Sequence, residues 1–213
     1  MNAAAPIVHL VDDDTSVLAA MSRLLRASGF AVRTFTSGAA FLAARDQDDA
    51  PGCVVADVQM PGMNGLELQS ALARSRQPMP IVFLTGHGDI PSSVRAMRDG
   101  AENFLEKSTP KERLLEAVQR AVARDARERE GRARQRAVRA RFATLTRREV
   151  EVLSHVVRGQ LNKQIAGDLA IHERTVKLHR TAITTKLHVQ SVAELTRLTD
   201  EAGLFPPSAP PCP

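Results

Sequence analysis

Ile7-Val8-His9-Leu10-Val11-Asp12-Asp13-Asp14 is a short apolar run that ends abruptly in three acids. A run of this length, bounded by turn formers and rich in β-branched residues, reads as a buried strand. The same shape recurs at 31–35, 53–58, 81–85 and 103–106. Between these runs, 16–28, 39–44, 66–74 and 91–98 carry helical spacing, with Gly29 and Gly100 placed at helix ends. Strand alternating with helix predicts an α/β domain, a doubly wound parallel sheet covered on both faces. In such a sheet the site lies beyond the carboxyl ends of the strands.

That edge is where the chemistry-bearing residues fall. Asp12 and Asp13 end the first strand, Asp57 the third and Thr85 the fourth, and Lys107 follows the fifth. Clustered carboxylates suit a hard cation, and Mg²⁺ takes oxygen ligands from one or two carboxylates together with phosphate oxygens. A phosphoryl group is the natural second ligand. On this reading Asp57 is the nucleophile that accepts it. Asp12 and Asp13 hold Mg²⁺ (or Mn²⁺), Lys107 pairs with one phosphoryl oxygen, and the Thr85 hydroxyl bonds another. Singly, each has a plainer role: a turn or cap acid, a strand-end hydroxyl, a solvated lysine.

The remaining composition sets bounds. The chain has 213 residues, 43% hydrophobic and 25% charged, which is ordinary for folded domains and sufficient for two small ones. No run approaches the roughly 18 apolar residues of a membrane helix, and no basic leader precedes the first acids, so a cytoplasmic protein with no membrane partner is expected. Cys53 in an apolar run and Cys212 in the tail provide neither a disulfide framework nor a zinc cluster. His87, between two glycines, reads as a loop residue rather than a metal ligand.

Charge is divided unevenly. Residues 1–110 hold 9 Lys and Arg against 12 Asp and Glu, a formal −3, whereas 111–213 hold 20 against 12, a formal +8. A basic half points to nucleic acid, although a solvated basic helix has the same signature. Residues 111–141, with 11 basic and 5 acidic side chains, predict a helix that leaves the first domain as a charged, solvated linker. Beyond Phe142 the pattern is helical and short-looped, at 147–158, 163–169, 173–187 and 192–202. Thr146 with Glu149 forms a capping-box signature.

The segments 163–169 and 173–187 have helix-turn-helix proportions. At about 100° per residue, Val176, Ile183 and Leu187 share a core face, and Arg174, Lys177, Leu178, Thr181 and Thr185 lie opposite. Leu178 there suits a thymine methyl. His179 and Arg180 flank the stripe within reach of phosphates, and Asn162 and Lys163 open the preceding helix. A helical hairpin that binds protein is the competing reading.

Longer words of sequence are more specific. Asp57-Val58-Gln59-Met60-Pro61-Gly62-Met63-Asn64-Gly65, with Val11-Asp12-Asp13-Asp14, Leu84-Thr85-Gly86-His87-Gly88-Asp89 and Glu106-Lys107, closely resembles the receiver domain of bacterial two-component response regulators. The resemblance implies a five-stranded, flavodoxin-like fold, phosphorylation of Asp57 by a sensor histidine kinase, a metal ligand from the Gln59 backbone carbonyl, and a switch pairing Thr85 with Phe104. One departure is Ser108, where these receivers usually have proline; a cis bond before a non-proline residue costs about 2.5–4 kcal/mol, so a trans Lys107–Ser108 bond is expected.

Leu145-Thr146-Arg147-Arg148-Glu149-Val150-Glu151-Val152-Leu153, Gly159-Gln160-Leu161-Asn162-Lys163-Gln164-Ile165-Ala166 and Thr175-Val176-Lys177-Leu178-His179 resemble the LuxR/NarL output domain. His172 replaces the Ser or Thr usual at the recognition-helix N-cap, which weakens that cap by ~1 kcal/mol. The whole resembles a FixJ-type transcriptional response regulator. It implies a receiver over 1–122, a linker over 123–141, a DNA-binding domain over 142–204 and a Pro-rich tail over 205–213. Double-stranded DNA, a homodimer formed on phosphorylation or on paired half-sites, and RNA polymerase are the implied partners. The competing readings are a Mg²⁺-dependent phosphohydrolase built on Asp57 and a signalling adaptor that does not bind DNA.

Overall fold

The computed structural model describes residues 5–45, 50–75, 77–86 and 90–204. His87 and the Pro-rich tail with Cys212 lie outside the described residues. The chain forms two compact units, Met1–Arg129 and Glu130–Pro213.

The first unit alternates β1 (Ile7–Val11), α1 (Thr15–Ala27), β2 (Ala31–Phe35), α2 (Gly38–Arg45), β3 (Gly52–Ala56), α3 (Gly65–Arg74), β4 (Ile81–Thr85), α4 (Ile90–Arg98) and β5 (Asn103–Glu106). The five strands are parallel in the order β2-β1-β3-β4-β5, so the winding reverses between β1 and β3. This is the five-stranded doubly wound sheet expected from the alternation. The third strand ends at Ala56, two residues earlier than its apolar run. Asp57 and Val58 therefore begin the loop.

Both sheet faces are dry, which is why β3 and β4 are buried at every position rather than at alternate ones. Leu10, Val55, Val82 and Leu84 pack with Leu25 of α1 on one face. Val54, Ala56 and Phe83 pack with Phe41, Leu68 and Leu72 on the other. Cys53 is fully buried, and burial pushes its thiol up to about 12.

The following helix, α5, spans Lys111–Phe142. Its early turns supply Leu114, Ala117, Val118 and Ala121 to the first of these cores. The stretch 123–141 is helical as expected but not uniformly solvated. Asp125 is fully buried, its Oδ2 accepting from the Gly52 amide at 2.8 Å and from Arg129 Nε at 2.7 Å. Val138 is buried in the core of the second unit together with Phe142. The high density of arginine conceals these few inward positions, because one buried residue per turn or two barely changes composition.

The second unit continues with α6 (Arg147–Val157), α7 (Asn162–Asp168), α8 (Glu173–Leu187) and α9 (Val192–Ala202). Val152, Leu153, Val156, Ile165 and Leu195 close around Val176, Ile183 and Leu187, the predicted inner stripe of α8. Thr146 and Glu149 form the full capping box of α6. His172 occupies the N-cap of α8 and makes no side-chain cap bond. No described helix is long and apolar enough to cross a membrane. No cis peptide occurs among the described residues, so Lys107–Ser108 is trans.

Candidate phosphoryl-acceptor pocket and nucleic-acid face

Parallel register builds the pocket. Val11 pairs with Ala56, so the next residues, Asp12 and Asp57, leave adjacent strands side by side at the winding reversal. The Asp57 amide donates to the Val11 carbonyl at 2.9 Å, carrying the pairing one step past the strands. Thr85 pairs with Glu106, and the Lys107 amide donates to the Thr85 carbonyl at 2.7 Å. The end of β4 thereby fixes the backbone from which Lys107 projects.

Asp12, Asp13 and Asp57 each offer a carboxylate oxygen, and these oxygens lie within 4.8 Å of one another. Asp12 and Asp57 are buried and Asp13 is exposed. Lys107 Nζ bridges the buried pair, 2.7 Å from Asp12 Oδ2 and 2.9 Å from Asp57 Oδ2. Burial of Lys107 pulls its pKa down, but hydrogen bonds to Asp12 and Asp57 and their charges outweigh that and leave it raised. The Gln59 amide donates to Asp57 Oδ1 at 3.3 Å, and the Asp14 amide to Asp12 Oδ1 at 2.9 Å. Asp14 faces away from this cluster as the N-cap of α1, accepting from the Ser16 and Val17 amides, and these bonds lower its pKa.

Gly65 makes room for the acceptor. A Cβ there would lie 2.4 Å from the Asp57 carbonyl oxygen and 2.9 Å from Cε1 of Phe83. The Phe83 ring in turn lies 5.9 Å from that of Phe104. Phe104 is half-buried against the second core, and Thr85 is 1% exposed. Nothing in the strand pattern singles out Phe83, since a phenylalanine inside a strand is ordinarily core.

On the second unit, Arg174, Lys177, Leu178, Thr181 and Thr185 are all exposed, while Thr175 and His179 are partly covered. Leu178 is 64% exposed. Lys163 is exposed at the start of α7. Asn162 accepts through Oδ1 from Arg180 Nη1 at 3.0 Å, so these two candidates hold α7 and α8 together. A tie that neither helix pattern discloses joins α8 to α6: Lys186 is paired with Glu149, at 2.7 Å to Oε2 and 2.9 Å to Oε1.

Residues 8–119 match the response regulator receiver domain, and 143–199 match the bacterial regulatory proteins of the luxR family. The chain is a member of the response-regulator family. It is 42% identical over 200 residues to the response regulator protein TmoT of Ectopseudomonas mendocina, covering 94% of this chain and 90% of that one. It is 42% identical over 199 residues to the transcriptional regulatory protein FixJ of Azorhizobium caulinodans, covering 93% and 94%. Among solved structures it resembles the response regulator StyR, with a TM-score of 0.80 and 46% identity over 93% of this chain and all of that one. Full-length FixJ from B. japonicum gives 0.57 and 36%, over 95% and 99%. The protein is thus a transcriptional response regulator, and neither the phosphohydrolase nor the adaptor reading gains support from its relatives.

Proposed function

We propose that a sensor histidine kinase transfers a phosphoryl group to Asp57 of this response regulator, and that the modified receiver promotes binding of the output domain to double-stranded DNA. The observation that carries this reading is the meeting of Asp12, Asp13, Asp57 and Lys107 at one rim of the sheet. In the transfer, a carboxylate oxygen of Asp57 forms a bond to phosphorus as the bond from phosphorus to the kinase imidazole nitrogen breaks, and the imidazole leaves.

The donor set fits a hard divalent cation: three carboxylate oxygens are close together, and the exposed Asp13 leaves space for bound water. Asp12, Asp13, Asp57 and the Gln59 carbonyl would hold Mg²⁺ or Mn²⁺, which supplies charge neutralisation to the transferring group. Lys107 is already beside Asp57 and takes one phosphoryl oxygen; the Thr85 hydroxyl takes another. The group brings close to two negative charges, which reorder the contacts of Thr85 and, through the rings of Phe83 and Phe104, the outer edge of β5. A swing from 1:99 to 99:1 between receiver states requires about 5.5 kcal/mol of such coupling.

In the output domain, α8 enters the major groove. Arg174, Lys177, Leu178, Thr181 and Thr185 face the bases and backbone, with Thr175, His179 and Lys163 at the edges. Arg180 and Asn162 brace the two helices at that surface. Two copies on paired half-sites double the contact, RNA polymerase is the machinery addressed, and the cytoplasm is the compartment.

The test is label uptake from a phosphodonor in Mg²⁺, followed by DNA binding. Wild type takes up label and binds DNA more tightly afterwards, while Asp57→Asn does neither. Equal uptake by the variant would overturn the assignment.

A further inference from the structure

Helix α4 is lightly held. Ala96 is its one buried residue, whereas α1 and α2 bury two each and α3 buries four. Ala96 removes little apolar area from water, and Ile90, Val94 and Met97 of the same helix are exposed. A further attachment comes from Gln69 of α3. Its side chain is 4% exposed, and Nε2 donates to the Ala96 carbonyl at 2.9 Å.

This bond is not there to satisfy the backbone. The Ala96 carbonyl also accepts from the Ala101 amide at 3.0 Å, so it keeps a partner without Gln69. At the other end of the amide, Oε1 is buried with no hydrogen-bond partner among the described residues. An unpaired buried acceptor costs at least as much as one neutral hydrogen bond returns, and a methionine of similar length would fill the space without that cost. Local stability therefore does not account for an amide at this position. Its effect on α4 does.

We infer that Gln69 is a positioning residue of the receiver switch, a latch that holds α4 through the Ala96 carbonyl in the unphosphorylated state and lets go when Asp57 is phosphorylated. The inference rests on the phosphorylation reading above for its trigger. The element involved is suitably placed, because α4 is the next helix after Thr85, the hydroxyl assigned to the phosphoryl group. Release gives up one neutral hydrogen bond and leaves the Ala96 carbonyl its other partner. The latched state is then only marginally favoured, as a switch requires.

Hydrogen exchange on the full chain, with and without acetyl phosphate in Mg²⁺, tests this. In Gln69→Met without phosphodonor, exchange across residues 90–98 rises about fivefold, the loss of one neutral hydrogen bond, while β1, β3 and β4 exchange as in wild type. Wild type shows the same local rise when acetyl phosphate is added, and the variant then gains little more. Leu72→Ala, also buried on α3, serves as the control for a general packing defect and raises exchange throughout the receiver. If Gln69→Met leaves 90–98 unchanged, or raises exchange everywhere as the control does, the latch is refuted. If wild type takes up label on Asp57 without a change in 90–98, its release by phosphorylation is refuted. If wild type takes up no label, the acceptor reading fails, and the comparison without phosphodonor still decides whether Gln69 restrains α4.

Discussion

Lys107 Nζ lies 2.9 Å from Asp57 Oδ2, so the proposed phosphoryl acceptor is charge-paired before any donor arrives. The lysine also neutralises Asp12 and so occupies oxygens that a divalent cation would use. Two consequences are testable with one variant.

In Lys107→Met the three carboxylates lose their cation. Mg²⁺ then raises the thermal midpoint of the receiver more than it does in wild type, because the ion binds a more negative site in the folded state alone. The pKa of Lys107 is raised above its ordinary 10.5, since its bonds to Asp12 and Asp57 outweigh burial. A folded-state value above the unfolded one means stability that is complete below 10.5 and disappears as pH climbs through the folded value. Urea midpoints from about pH 9 to about pH 12 should fall more steeply for wild type than for the variant. The chain has no tyrosine to obscure that limb. Parallel alkaline slopes would show that Lys107 contributes nothing through this pair.

Gly65→Ala tests the space behind the acceptor. The added Cβ would sit 2.4 Å from the Asp57 carbonyl oxygen and 3.0 Å from Val58 Cα, and backbone at that distance must move. Overpacking of this kind costs about 1–3 kcal/mol. Because the displaced atoms belong to Asp57 itself, label uptake from acetyl phosphate should fall more than stability alone accounts for. Wild-type uptake in a folded variant would show that the loop tolerates the shift without disturbing the carboxylate.

The contrast between Asp57 and Gln69 shows what the sequence discloses. Asp57 is legible because parallel strands bring their C-terminal residues to one edge whatever the intervening helices are, so the order of elements alone places it near Asp12. The β1 and β3 register then does the rest. The output helix is legible for a similar reason, since Val176, Ile183 and Leu187 recur at helical spacing. Gln69 is not, because a polar residue on an amphipathic helix ordinarily faces water, and its burial depends on where α4 lies. Val138 and Phe142 were hidden in an arginine-rich stretch in the same way: their burial depends on the partners they meet in the core of the second unit.

Glu149 predicts an acid limb for the output domain. Hydrogen bonds from Lys186 and from the Thr146 amide hold its carboxyl below the ordinary 4.5. A depressed folded value gives stability that is full above 4.5 and is lost as pH falls through the folded value. Glu149→Gln keeps an N3 side chain able to complete the capping box but removes the charge facing Lys186. The variant should be less stable at neutral pH by about 1 kcal/mol, a modest figure because Lys186 can rehydrate, and its acid limb should be flatter. An unchanged limb would mean that the tie between α6 and α8 is of no thermodynamic consequence.

Lys177 and Leu178 are adjacent on the exposed face of α8, and they should fail in different ways. Lys177 is a cation that would neutralise a phosphate, so Lys177→Ala should weaken binding to all duplexes alike and reduce the slope of log affinity against log salt by about one. Leu178 is 64% exposed, and its side chain can read a base only through apolar contact, as with a thymine methyl. Leu178→Ala should leave the salt slope intact and cost about 1–3 kcal/mol at the preferred sequence only. The loss should be smaller on a duplex lacking that methyl, and exchanging thymine for uracil at each position would locate it. A salt slope altered by Leu178→Ala, or equal losses on preferred and unrelated duplexes, would remove this residue from the base-reading face and leave α8 a purely electrostatic contact.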